Sequence, residues 1–166
     1  MSNMSESIVL ANVMDKTREI TLRYLDLLQG GDMYKVFESE GKPLNSAVWI
    51  MSHLPVTQNF LMLRSTGAEH VKIPWARLVG LGSTPPEKDQ YPPLDEIRSV
   101  MNEVHAKSLA HVRTLDADQL NQPNTSGFNF MGIHTFRDVI IHTIRHEGTH
   151  TGHLGWLCKL QGIKTI

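Results

Sequence analysis

The stretch Thr135–Gly162, TFRDVIIHTIRHEGTHTGHLGWLCKLQG, decides how the chain folds. Its apolar residues recur every three or four positions, which is typical of a helix that turns one face to a protein core. Thr135 and Asp138 have the spacing of a capping box, so the helix is predicted to begin there. Gly162 is a natural residue to follow the last turn. We therefore predict one long helix over this range.

Three further segments have helical patterns, and no segment has a good strand pattern. The first is predicted over Ser5–Leu28. Its apolar side is supplied by Ile8, Val9, Val13, Ile20, Leu22 and Leu25. The second begins at Asn45 or Ser46, either of which can cap it, and ends before Gly67. Pro55 lies inside it and predicts a kink or a restart, because proline lacks the backbone donor.

The third helix is predicted from just after Pro93 to about Leu115, with acidic residues in its first turn. A proline-rich connection, residues 67–93, separates it from the second helix. Trp75, Leu78, Val79 and Leu81 predict that this connection packs against the protein. Four long helices in 166 residues indicate an all-α four-helix bundle, with residues 1–166 as a single domain.

Composition excludes some classes of function. The formal net charge is −1 and the chain has one cysteine, so neither nucleic-acid binding nor an internal disulfide is expected. No segment resembles a signal peptide or a membrane span, which favours a cytoplasmic protein without membrane partners. The nine histidines are the unusual entry in the composition and raise the question of a metal site.

His146 and His150 lie in the middle of the apolar stripe of the last helix, one turn apart. Two core histidines with ordinary hydrogen bonds are one interpretation. A shared divalent cation is the other, and it is favoured because both rings are desolvated and each nitrogen needs a partner. His153 is close enough on the helix to reach such a site, whereas His142 is predicted at its boundary or behind the ligands.

The residues His146–His150 also spell H-E-x-x-H, the zinc signature of metalloproteases. A protease of this type takes its third ligand from downstream, where only His153 is available, and the extended form of the motif fails at His153 and Trp156. These mismatches argue against a protease. Glu147 is retained as a candidate base, against two alternatives: an exposed glutamate, or one that orients a ligand histidine.

A facing helix gives better geometry for a third ligand, and His53 lies on an apolar stripe of the second helix. We predict a metal site of His53, His146 and His150 with water in the fourth position. Trp49 and Met51 are expected to bound its pocket, and Trp75 is either a lid or an ordinary packing residue. The remaining histidines are predicted to be solvated: His70, His105, His111 and His134.

Gly148, Gly152 and Gly155 fall together on the opposite side of the last helix. Glycine costs about 1 kcal/mol in a helix interior, so three on one face indicate close approach by another backbone. A neighbouring helix and a second subunit both meet that requirement.

The segments NSAVWIMSHLPVTQNFL and HTFRDVIIHTIRHEGTHTGHL resemble the DinB-like proteins, also called the DinB/YfiT superfamily. The middle of the chain is similar to this family too, although His153 replaces its common glutamine. The resemblance implies a four-helix bundle and a divalent ion, often nickel or zinc, on His53, His146 and His150. It also implies a homodimer. The family includes S-transferases that use low-molecular-weight thiols, so the resemblance implies such a thiol as a co-substrate.

Two functions are left open by the sequence. One is a metal-dependent transferase or hydrolase that acts on a small molecule. The other is a metal-containing binding or stress protein without turnover.

Overall fold

The bundle is seen in a computed structural model that describes residues 4–127, 129 and 132–165. Its long helices are α1 (Glu6–Leu28), α2 (Ala47–Gln58), α3 (Leu94–Thr114) and α5 (Phe136–Leu160), with a short α4 (Ala117–Leu120) after α3. Helix α1 packs along α5, and α2 packs against α3. The predicted all-α four-helix bundle is confirmed. None of the described helices combines the length and apolar character needed to cross a bilayer.

Helix α5 has the termini that its sequence predicts. The Thr135 side chain accepts from the backbone N–H of Asp138, and the Asp138 carboxylate accepts from the backbone N–H of Thr135. At the other end Gly162 has a φ of 72°, and the next N–H, of Ile163, donates to Cys158 O at 2.9 Å. This six-residue closure is why a glycine is needed there.

Helix α2 begins after Ser46, whose hydroxyl accepts from the N–H of Trp49. It runs through Pro55 without a restart and then widens into a π-helical turn, Asn59–Leu63, and a 3-10 turn, Arg64–Thr66. The restart predicted at Pro55 is therefore not observed, and the regular helical geometry changes only four residues later, at Asn59. Residues 47–55 are all buried, as in a helix enclosed on every side.

The inward face of α1 agrees only in part with the prediction: Leu25 is buried as expected, but three other residues of the predicted side are not. Val9, Val13 and Ile20 are 45%, 47% and 52% exposed. Three of the residues that α1 buries are polar, namely Ser7, Arg18 and Thr21. The full buried set is Ser7, Ala11, Met14, Arg18, Thr21, Leu25 and Leu28. Hydrophobic periodicity misassigned the face because Arg18 and Thr21 have polar partners inside the bundle.

The connection between α2 and α3 packs as predicted through Trp75 and Val79, which are buried. Leu81 does not pack, since it is 97% exposed. A small hairpin before α2, β1 (Glu38–Ser39) with β2 (Lys42–Pro43), was not predicted. Its turn is Glu40–Gly41, and both residues have positive φ.

Candidate metal centre

Three histidines converge where α2 faces the middle of α5. One ring nitrogen from each of His53, His146 and His150 lies within 4.8 Å of the other two. The ring centroids form a compact triangle, with His53 5.1 Å from each of the other two rings and His146 4.6 Å from His150. A single small ion can therefore reach all three rings.

Helical spacing explains this convergence. His146 and His150 are one turn apart on α5, so their rings lie on the same face. His53 approaches from α2, and its ring is stacked on Trp49, one turn earlier, with centroids 4.5 Å apart. Trp49 thus fixes the plane of the His53 ring, which gives this residue a place at the site.

The tautomer of His53 is set by the connection between α2 and α3. Its Nδ1 lies 2.6 Å from the carbonyl oxygen of Val79. Since a carbonyl can only accept, Nδ1 carries the proton and Nε2 keeps its lone pair. This arrangement is the one that orients metal-binding histidines. Nε2 lies 3.2 Å from Nε2 of His146 and 3.1 Å from the Thr57 hydroxyl.

Burial keeps the three rings neutral. It lowers the pKa of His53, and it lowers the pKa of His146 to about 4 and that of His150 to about 3. Neighbouring histidines lower the last two further, as smaller causes. Neutral imidazole is the form that binds a metal, so the site is in its ligating state at pH 7.

Two observations test whether these residues fit a metal ion. Imidazole nitrogens bound to one tetrahedral zinc ion at 2.0–2.1 Å are about 3.3 Å apart, close to the 3.2 Å between His53 and His146. Nδ1 of His150 is buried and has no hydrogen-bond partner among the described residues. A buried nitrogen is rarely left in that state. Three imidazoles also suit zinc or nickel by ligand type, so the residues fit.

Glu147 is neither exposed nor directed at a ligand histidine by any hydrogen bond that the structure shows. Its two oxygens accept from Nε and an Nη of Arg18 on α1, at 2.6 and 3.0 Å. Both side chains are almost completely buried. The expectation of an exposed glutamate is wrong, because the inward face of α1 provides a cation at this level.

The structure places the other predicted pocket residues either beside the converging histidines or in the core. His142 is half-buried, with its ring 6.1 Å from that of His146 and its Nδ1 2.8 Å from an Arg145 nitrogen. His153 is exposed, although its ring is 5.4 Å from His150. The structure puts Trp75 in the core, where its Nε1 donates to Ser52 O, and Met51 is also fully buried. Neither is among the described residues that line the cavity beside the histidines.

A buried polar network behind the site was missed. Arg18 also donates to the side-chain Oε1 of Gln58 and to the backbone carbonyl oxygen of Met101. Gln58 in turn contacts His105 Nδ1 at 3.2 Å, and His105 Nε2 lies 3.1 Å from Asp15. His105 is therefore buried, not solvated. His111 is likewise half-buried and contacts the Thr66 hydroxyl. No local sequence pattern near Arg18 signals this network, because its partners come from other helices.

A cavity of about 440 Å³ opens beside the histidines. His53, His142 and His146 line one side of it, and apolar residues of α2, of the π-helical turn and of the following connection line the rest. A second cavity of about 300 Å³ is lined by His153 and Trp156, among others. The first cavity gives a small molecule access to two of the three converging rings.

Comparison with known protein families finds a match. The family model described as the DinB superfamily matches residues 14–154, which include the three converging histidines. No curated protein matches the chain.

Proposed function

The chain belongs to the DinB superfamily, and from this premise we propose that it is a metal-dependent enzyme. Its single divalent ion, zinc or nickel, is held by His53, His146 and His150. The observation that carries the proposal is the convergence of three neutral imidazoles beside a cavity. Three neutral ligands leave the full charge on the ion and a fourth position for water or substrate.

When bound in such a site, the ion lowers the pKa of a coordinated water or thiol, which supplies a nucleophile at neutral pH. The reaction is a transfer to, or hydrolysis of, a small molecule. A low-molecular-weight thiol is the co-substrate we favour, since the family includes S-transferases that use such thiols.

Residues around the three histidines orient the proposed metal ligands and hold the helices that carry them. The Val79 carbonyl keeps the proton of His53 on Nδ1, and Trp49 keeps the ring in plane. Glu147 is not assigned as the base, because both of its oxygens are engaged by Arg18. Its role in this proposal is to fix α5 against α1.

Metal loading tests the site. We expect His53→Ala, His146→Ala and His150→Ala each to weaken zinc and nickel binding by at least about a hundredfold, more than loss of an outer contact. Isothermal titration of the metal-free protein would measure it, with elemental analysis for occupancy. His70→Ala, at an exposed histidine, is the matched control. If His53→Ala keeps full occupancy and affinity, the three-histidine site is wrong.

Turnover is tested separately. The zinc and nickel forms would be assayed against electrophiles with several thiols and with water alone. Metal binding without reaction on any substrate would favour a binding or stress protein over an enzyme.

We also propose that the protein is a homodimer. Helices α1 and α5 lie side by side and run in the same direction, since Arg18 meets Glu147 and Thr21 meets Thr151. Their outer surface exposes Val13 and Ile20 of α1. A second chain seated there would remove these side chains from water.

A further inference from the structure

We infer that the substrate of the histidine centre carries an uncharged apolar chain, which lies in the 440 Å³ cavity while a polar head group reaches the ion. This inference rests on the proposed function and adds the chemical class of the substrate. The apolar lining residues of the cavity indicate the alkyl chain of the substrate, and the histidines that line it indicate the polar head group.

The walls are apolar from three parts of the fold. Val56 comes from α2, Phe60 and Leu61 from the π-helical turn, and Leu81 from the connection that follows. No lysine, arginine, aspartate or glutamate is among the described residues that line the cavity. A charged substrate group there would lose its hydration without gaining an ionic partner, which is unfavourable.

The polar lining lies on one side of the cavity. His53, His142 and His146 line it there, and the Thr57 hydroxyl lies 3.1 Å from Nε2 of His53. An occupant therefore meets two of the proposed metal ligands, with His142 and Thr57, on this side and mainly hydrocarbon on the others. The size agrees with a small molecule, since ligand pockets span roughly 300–1,000 Å³.

Leu81 is the most specific element of this site. It is 97% exposed, the highest value among the exposed large apolar side chains, yet it borders the cavity. Gly80 and Gly82 flank it, and Gly82 has a φ of 77°. Two residues earlier, Val79 is buried and accepts from His53. The same segment thus orients a proposed metal ligand and presents an apolar side chain to the occupant.

Straight-chain hydroxamates test the inference, because their head group binds zinc and their chain can be lengthened one methylene at a time. The series runs from acetohydroxamate to hexanohydroxamate, titrated into zinc-loaded full-length protein by calorimetry. We expect the dissociation constant to fall about twofold to fourfold for each methylene, as for apolar surface leaving water. A chain of equal length that ends in a carboxylate should bind at least about tenfold more weakly than its uncharged counterpart, because its charge is left unpaired.

Two exposed leucines locate the chain. Leu81→Ser should weaken hexanohydroxamate by about threefold or more and leave acetohydroxamate unchanged, since only the longer compound reaches the substituted position. Leu160→Ser is the matched control, because Leu160 borders the other cavity, beside His153. If Leu160→Ser, and not Leu81→Ser, removes the gain in affinity from added methylenes, the alkyl chain of the ligand lies in the cavity beside His153. That result would contradict the inference.

The remaining outcomes separate this inference from the proposed function. Acetohydroxamate that binds with no gain for longer chains would overturn the apolar substrate and leave the metal site standing. Zinc-loaded protein that binds no hydroxamate would overturn the open coordination position, and the substrate class with it. A readout without metal is the shift of the Leu81 methyl signals when 1-hexanol is titrated into the metal-free protein. Shifts confined to Leu160 would again contradict the inference.

Discussion

His146 and His150 stay neutral at pH values where a histidine in the unfolded chain is protonated. The pKa in the unfolded chain is about 6.5, whereas burial lowers it to about 4 for His146 and about 3 for His150 in the folded chain. Below pH 6.5 the unfolded chain therefore binds more protons than the folded one. Stability must therefore decrease as the pH is lowered from about 6.5. The contribution of His146 to this loss stops growing below about pH 4, and that of His150 below about pH 3.

We expect the metal-free protein to have a lower free energy of unfolding at pH 5 than at pH 7.5. Urea titration with a chelator present would measure it. The double variant His146→Ala/His150→Ala should show a shallower dependence on pH, since it lacks both groups. Equal pH dependence in the two proteins would show that these rings are protonated as readily in the folded state as in the unfolded one.

The three histidines could be selected as candidate ligands from local patterns, although His53 and His146 are 93 residues apart in sequence. His146 and His150 are separated by one helical turn, and each lies on an apolar stripe that must face the core. The environment of Glu147 could not be anticipated in this way. Its partner, Arg18, is 129 residues away in sequence, and nothing near either residue signals the pair.

The Arg18–Glu147 pair is an interaction between elements, since it joins α1 to α5 at the level of the histidines. The two side chains are 3% and 4% exposed, and Arg18 also donates to Gln58 and Met101 O. Removing one charge leaves the other buried without its partner, which typically destabilises a protein by about 3–5 kcal/mol. Replacing both by apolar residues of similar volume is often close to neutral.

We therefore expect Glu147→Leu to lower the free energy of unfolding by about 3–5 kcal/mol, and Arg18→Met/Glu147→Leu to lower it by less. Urea titration at pH 7.5 would measure both. Asp26→Asn is the matched control, because it breaks an α1 ion pair, with Arg98, in which the acid is 65% exposed. A double variant as unstable as Glu147→Leu would contradict the assignment of the loss to an unpaired charge.

At the same scale, the pair explains why the face of α1 was misread. An apolar stripe normally marks the side of a helix that packs inward. In α1 the inward side holds Arg18 and Thr21, satisfied by Glu147 and Thr151 of α5, while Val13 and Ile20 point outward. Helix termini, by contrast, depend on a few adjacent residues, and Thr135 with Asp138 was enough to place the start of α5.

In the molecule as a whole, the glycines of α5 have two different surroundings. A Cβ at Gly155 would lie 3.5 Å from the Tyr24 ring of α1, which is an ordinary van der Waals contact and does not by itself require a glycine. A Cβ at Gly148 or Gly152 would meet no described atom within 4 Å. Close approach within the bundle therefore does not explain these two, and they lie on the same helix pair as the exposed apolar residues of α1. This surface is the one on which we place the dimer contact.

The proposed homodimer can be tested by placing a charge on the exposed apolar side of α1. Ile20→Glu should convert a wild-type dimer, of twice the 18.7 kDa chain mass, to a monomer, or weaken it at least about tenfold, because the contact would bury an unpaired carboxylate. Light scattering during size-exclusion chromatography, over a range of concentrations, would measure it. Val36→Glu is the control, since Val36 is equally exposed at 52% but lies outside the helices. A wild-type chain that is monomeric throughout, or a dimer lost in Val36→Glu but kept in Ile20→Glu, would rule out this surface.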